Sequence, residues 1–328
     1  MSSLSRLYYI DILRILATVM VVMIHTSGML MQNTEVGSND YWLGFCNFEI
    51  VRSAVPLFFM ISGSLLLKPQ YNATPRNMLE KIFRVIVVML IWSFIYAIFT
   101  CEPLSIKCLI FKTLKGPFHF WFFDFLIGLY LLTPIFKAIV SYNDGILIKY
   151  YLALFFCFGI LVPSLQAIEF CHKWIMDITS KVIIEMMGFS GYFFMGYYLS
   201  EKSFKVPTSL IILIFILSII FNGLITYNTN LLYSSDKWWI MTFLQCSCIF
   251  VIIKKLCCTN GGRGLLLTLS SLTMGVFILH PLILWIVPKN LWTLEWYVLD
   301  VLFVLIGSFL ISFIISKIPY IGKKLISL

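Results

Sequence analysis

The chain has 328 residues, of which 60% are hydrophobic and 12% charged, and it carries a formal net charge of +9. Ordinary soluble domains hold roughly 25% charged residues, so a soluble fold has no way to hide this much apolar surface. The positive charge does not call for nucleic acid, because the Lys and Arg residues sit in the gaps between apolar stretches, where they mark the cytoplasmic loops of membrane proteins.

Apolar runs of about 20 residues, the length that crosses a bilayer as a helix, recur along the chain. They predict an all-α, polytopic membrane bundle of about ten transmembrane helices: 8–31, 47–67, 82–101, 118–137, 146–164, 183–200, 208–227, 238–256, 267–288 and 297–316. Residues 1–328 are expected to form a single membrane domain. The first run holds Asp11, Arg14 and His25 and has no small-residue cleavage site, so it is expected to stay as a helix rather than leave as a signal peptide. With the N-terminus inside, fifteen Lys and Arg fall in inner segments and seven in outer ones, which predicts both termini in the cytoplasm. Residues 31–46, acidic and without a base, suit an outer loop, and the basic stretch 68–84 suits an inner one. The GGRG at 261–264 lacks the Lys-Ser or Lys-Thr ending and the preceding strand of a phosphate loop and reads as a turn. Of the nine cysteines, Cys101, Cys108 and Cys171 fall on the predicted outer side, where one disulfide can form; the pairing stays open.

Charges inside spans need a reason to be there, since each costs on the order of 2.5–3.5 kcal/mol at a helix centre. Asp11 and Arg14 are three apart and can pair near the inner end. Arg14 and His25 are eleven apart, about three turns plus 20°, so both project from nearly one face with a rise of roughly 16 Å between them. A cation near the inner mouth and an imidazole deeper along the same wall suit a substrate with an anionic handle and a reactive tip. Arg52, in the antiparallel second helix, is expected level with His25, against the bland alternative of snorkelling to the interface; Pro56 can kink that helix. Ser62 and Gly63 allow close helix packing. His119 beside Trp121 fits either an interfacial anchor or a site residue, and Asp124 in its apolar run calls for a buried base or a polar cavity. His280 precedes the helix-breaking Pro281; Glu185 and His172 read as interfacial and solvated. The four histidines have no metal-binding spacing and no GxSxG elbow is present, so neither a metal nor a serine nucleophile is expected.

Asp11, Arg14 and His25, then RSAVPLFFMISG at 52–63, HFWFFDFLIGLYLLTP at 119–134, GYFFMGYYL at 191–199 and MGVFILHPLIL at 274–284, resemble the acyltransferase-3 family in order and over nearly the whole chain. Within that family the chain looks most like the forms without a fused periplasmic domain that O-acetylate enterobacterial common antigen or O-antigens. The resemblance implies a bacterial inner-membrane O-acyltransferase, with acetyl-coenzyme A as donor from the cytoplasm and a sugar hydroxyl of a surface polysaccharide or its lipid-linked precursor as acceptor. The family's Arg-x10-His arrangement maps onto Arg14 and His25. Its RxxR motif maps onto Lys81 to Arg84, with Lys in the first place, and its SGY becomes Ser62, Gly63, Ser64. On this reading Arg14, Arg76, Lys81 and Arg84 bind the donor's phosphates. His25 is general base, with an acyl-histidine as the less favoured variant, and Arg52 and His119 stabilise the oxyanion or orient the sugar. The rival reading is a transporter or flippase of a lipid-linked saccharide, since buried charges also line transport paths; no inverted repeat supports it.

Overall fold

The computed structural model describes residues 7–142, 145–166, 181–229, 240–257, 264–288 and 291–326. In hydrocarbon every backbone N–H and C=O must find a partner within the protein, and an apolar chain meets that demand as helices. The described elements are α1 (Tyr8–Asn33), α2 (Asn39–Val51), α3 (Ala54–Leu66), α4 (Pro75–Thr100), α5 (Ile106–Lys115), α6 (Trp121–Ser141), α7 (Ile146–Leu154) and α8 (Val162–Gln166). They continue with α9 (Lys181–Glu201), α10 (Thr208–Thr229), α11 (Ile240–Leu256), α12 (Gly264–Leu284), α13 (Tyr297–Ser316) and α14 (Gly322–Ile326). Among the described residues there is no strand, and eight segments are long and apolar enough to cross a bilayer. Each of the ten predicted spans has a helix in its place.

The differences lie at caps and breaks. The predicted second span is two helices, α2 and α3, separated at Arg52 and Ser53. Pro56 has no N–H to give the carbonyl of Arg52, so the ladder is interrupted there. The loop predicted over 31–46 is helical from Asn39, because the Ser38 hydroxyl caps α2 by accepting from the Tyr41 N–H at 3.1 Å. Likewise α4 starts at Pro75 rather than 82, with Thr74 as cap and proline in the first turn, where its missing N–H costs nothing. The predicted outer loop after α4 contains the amphipathic α5, capped by Ser105 and tied to the end of α4 by a Cys101–Cys108 disulfide. The fifth span runs as α7, a π-helical stretch Phe155–Leu161 and α8. His172, Cys171 and most of the GGRG turn lie outside the described residues, as do the side-chain surroundings of Glu185.

Helix α1 is the hub, packed by α2, α3, α11, α12 and α13. Asp11 is buried and accepts a 2.5 Å hydrogen bond from the Ser270 hydroxyl of α12, and Ser27 and Tyr297 bond at 2.8 Å, so both ends of α1 are pinned to the C-terminal helices. On the other side α3 and α9 approach until backbones touch. A Cβ on Gly63 would lie 1.8 Å from the Phe193 carbonyl oxygen, and one on Gly196 would lie 1.9 Å from that of Met60. The small-residue packing expected of Ser62 and Gly63 is thus realised at Gly63, with Gly196 as its counterpart. Gly63→Ala is expected to separate α3 from α9 and cost about 2 kcal/mol or more, read as a lowered thermal midpoint in detergent. Gly128→Ala, where nothing lies within 4 Å, is the matched control and should leave the midpoint nearly unchanged.

Candidate active site

Two cavities lie along α1, one at its Arg14 end and one at its His25 end. The first, of about 330 Å³, is lined by Arg14, Ser62, Tyr130, Ser270, Ser271 and Thr273 among apolar neighbours. The second, of about 140 Å³, is lined by His25, Arg52, His119, Trp121 and Phe48, with Val21 and Ile24 of α1 on the same wall. Helical periodicity carries Arg14 and His25 to the same side of α1, as their spacing predicts. The passage between them is not open throughout. Phe122 and Phe277 line both cavities and stand between them with ring centroids 5.1 Å apart. Phe59 backs Phe122 at 5.0 Å, and Phe277 touches His119 at 5.8 Å and His280 at 6.0 Å. The bundle thus holds two chambers along the wall that carries Arg14 and His25, with an aromatic pair lining both.

The His25 chamber gathers side chains from α1, α2, α3, the 3-10 turn before α6, α6 itself and α12. His25, half-buried on α1, faces Phe118 at 5.5 Å and His280 at 5.0 Å between ring centroids. His119 is no interfacial anchor: it is 2% exposed, sits in the 3-10 turn Phe118–Phe120 before α6, and packs on Tyr96 at 5.3 Å and His280 at 5.8 Å. His280 behind them is fully buried, with Nδ1 3.1 Å from the Val276 carbonyl oxygen. A carbonyl only accepts, so the proton of the neutral ring sits on Nδ1 and the buried Nε2 keeps its lone pair. Tyr96 holds this region by donating from its hydroxyl to the Ile278 carbonyl at 2.7 Å.

Arg52 reaches the same chamber as His25, level with it as the antiparallel helices predict, and it does not snorkel. Its guanidinium is buried at the α2–α3 break, 3.0 Å from Glu49, with the Phe48 ring 5.4 Å away. Glu49 also accepts from the Asn222 side-chain amide of α10. The carboxylate compensates the buried cation and fixes its position while leaving it in the chamber wall. Sequence reasoning missed Glu49, although its place three residues before Arg52 in an apolar helix is the signal of an i,i+3 pair. Phe122 and Phe277 were also missed, and nothing singles them out among 30 phenylalanines.

The four residues expected to form one basic donor site are divided. Lys81 lies within electrostatic reach of Arg14 and Arg84, and its ammonium sits 5.8 Å from the centre of the Tyr71 ring. Arg76 and Arg84 turn outward with Lys324 along a separate groove of about 830 Å³ walled by Leu79, Phe83 and Val87. Arg76 is highly exposed and pairs with Glu80 at 3.4 Å. The structure therefore brings together His25, Arg52 and His119, sets Arg14 with Lys81 on the other side of the aromatic pair, and leaves Arg76 at the bundle surface. Among the described residues no cluster of three His, Cys, Asp or Glu side chains has the arrangement of a metal site.

The fold is that of a polytopic helical membrane protein with a cationic chamber at one end and a histidine-lined chamber at the other. Residues 7–317 match the model of the acyltransferase-3 family, described as an acyltransferase domain, and the chain belongs to that family: it is a multi-pass membrane acyltransferase. Neither the curated proteins nor the solved structures give a match to the chain.

Removing Glu49 takes away the carboxylate 3.0 Å from the buried Arg52 guanidinium, and breaking a buried ion pair costs about 3–5 kcal/mol. Glu49→Ala is therefore expected to lower the thermal midpoint sharply, and the double change Glu49→Ala with Arg52→Met to recover much of the loss. Equal midpoints for wild type and Glu49→Ala would show that the pair carries no such load.

Proposed function

We propose that the chain transfers an acetyl group from acetyl-coenzyme A, bound from the cytoplasm, to a sugar hydroxyl of a bacterial surface polysaccharide or its lipid-linked precursor at the inner membrane. One observation carries this reading: a chamber with Arg14 and a chamber with His25, Arg52 and His119 lie end to end along α1 and share the walls Phe122 and Phe277. The arrangement suits a donor with an anionic handle and a thioester at the tip of a long arm. The resemblance to the O-acetyltransferases of enterobacterial common antigen and O-antigens supports the choice of acetyl and sugar. Orientation with the His25 end outside is supported by the excess of basic residues in the opposite segments and by the Cys101–Cys108 disulfide at that end, since disulfides persist on the oxidising side.

In this reading Arg14 and Lys81 hold the donor's phosphates through charge-assisted hydrogen bonds, with Arg84 and Arg76 contributing from the rim. The pantetheine arm passes the Phe122–Phe277 pair and delivers the thioester carbonyl to the smaller chamber. His25 takes the proton from the acceptor hydroxyl as its oxygen attacks the carbonyl carbon. The guanidinium of Arg52, fixed by Glu49, stabilises the oxyanion that forms, and His119 orients the sugar. The tetrahedral adduct collapses with cleavage of the carbon–sulfur bond, and the imidazolium returns its proton to the coenzyme A thiolate. Carrying out the transfer inside the bundle, away from bulk water, would favour the sugar hydroxyl over water as acceptor.

His25→Ala is expected to remain inserted and folded but to lose about 10²–10⁴-fold in transfer rate, the usual contribution of a general base. Labelled acetyl-coenzyme A in membrane vesicles reads this as label on saccharide. Transfer at the wild-type rate by a well-inserted His25→Ala variant removes His25 from the chemistry. Arg14→Ala is expected to raise KM for acetyl-coenzyme A with little change in kcat, and an unchanged KM would remove Arg14 from donor binding. Translocation of a lipid-linked saccharide without any label would instead establish the transporter reading.

A further inference from the structure

Asp124 is not explained by the chemistry above. It lies on α6 one turn after Trp121, inside an apolar span, and its side chain is exposed rather than paired: among the described residues no cation lies within ion-pairing distance. It stands in the first turn of α6, where a helix N-terminus favours a carboxylate. The surface it faces is a groove of about 490 Å³ between α4, α5 and the start of α6, closed at one side by Trp285. Tyr96, Trp121 and Trp285 give the groove aromatic walls. Lys112 and Lys115 of α5 line the same groove, and Lys112 donates to the Thr100 carbonyl at the end of α4. Thr113 also lines the groove, and its buried hydroxyl has no hydrogen-bond partner among the described residues.

This groove adjoins the His25 chamber. Trp121 lines both, and Tyr96, whose ring forms part of the groove, packs directly on His119. Its flanks carry Leu90 and Leu114, both exposed as side chains that meet lipid are, so a ligand anchored in the bilayer enters from the side. Aromatic faces alternating with a carboxylate, an ammonium and a hydroxyl match one ligand chemistry well. A sugar ring offers an apolar C–H face to stack on an indole and a rim of hydroxyl donors for a carboxylate, whereas an acyl chain offers no donors to satisfy Asp124.

We propose that this lateral groove is the acceptor site, seating the terminal sugars of a membrane-anchored saccharide so that one hydroxyl passes Trp121 and reaches His25. The assignment rests on the reading of the chain as an acyltransferase acting on saccharides. Asp124 accepts from sugar hydroxyls, Trp285 and Trp121 stack on the rings, and Lys112 and Thr113 complete the polar rim. Asp124 and Trp285 are acceptor-binding residues and take no part in holding the donor.

The test uses the full chain in lipid nanodiscs, labelled acetyl-coenzyme A, and the lipid-linked saccharide fraction extracted from producing cells as the titrated acceptor. Asp124→Asn and Trp285→Ala are each expected to raise the half-saturating concentration of that fraction about tenfold, equivalent to about 1.4 kcal/mol of binding. The half-saturating acetyl-coenzyme A concentration should not move. Trp285→Phe, which keeps a stacking face, is expected to recover most of the loss, which separates a binding role from a folding defect. Wild-type acceptor saturation in both variants, or an equal shift for donor and acceptor, overturns the assignment. If the wild-type chain places label on nothing in the extract while membranes of the same cells do, the saccharide reading itself fails, and the groove's role fails with it.

Discussion

Phe122 of α6 and Phe277 of α12 meet in the middle of the bundle, and the chemistry open to this protein depends on that contact. A membrane interior tolerates polar groups only in a cavity or against a partner. Here such groups collect in two chambers, one cationic and one rich in imidazole, with the aromatic pair as their common wall. A fixed wall would isolate Arg14 from His25. In the proposed reaction these two buried rings would have to part for the donor's arm to pass. Phe277 also touches His119 and His280, which ties the aromatic pair to the histidine cluster.

The second constraint is the break between α2 and α3. Arg52 itself keeps helical backbone angles, and the departure from them falls at Ser53. Pro56 removes the N–H that the Arg52 carbonyl would otherwise receive, the helix opens there, and Glu49 with Asn222 holds the guanidinium against the chamber. Ion pairs of this kind seldom stabilise a fold relative to apolar residues of equal size. Its retention in so apolar a chain fits a role for the cation itself.

Much of the architecture was legible because hydrocarbon imposes a simple rule on sequence: runs of about 20 apolar residues become helices. The eleven-residue spacing of Arg14 and His25 placed them on one side of α1, and antiparallel packing placed Arg52 beside His25. What sequence obscured has local causes. Ser38 and the Thr74-Pro75 pair are helix caps within stretches whose polarity reads as loop. Lys81 and Arg84 look like one motif, yet three residues along a helix at a membrane surface are enough to turn one inward and the other toward a lipid-facing groove. His119 beside Trp121 resembles an interfacial belt, and only the 3-10 turn before α6 carries it into the core. The aromatic partition had no sequence signal, because its significance comes from which two rings meet.

A structure of the protein with a non-hydrolysable acetyl-coenzyme A analogue bound tests the two-chamber account most directly. The account places the nucleotide phosphates at Arg14 and Lys81, the Phe122 and Phe277 rings parted around the arm, and the acyl carbonyl within hydrogen-bonding reach of Arg52 and beside His25. An analogue lying wholly on the Arg14 side of closed rings, or docked along the Arg76–Arg84 surface with both chambers empty, would contradict it.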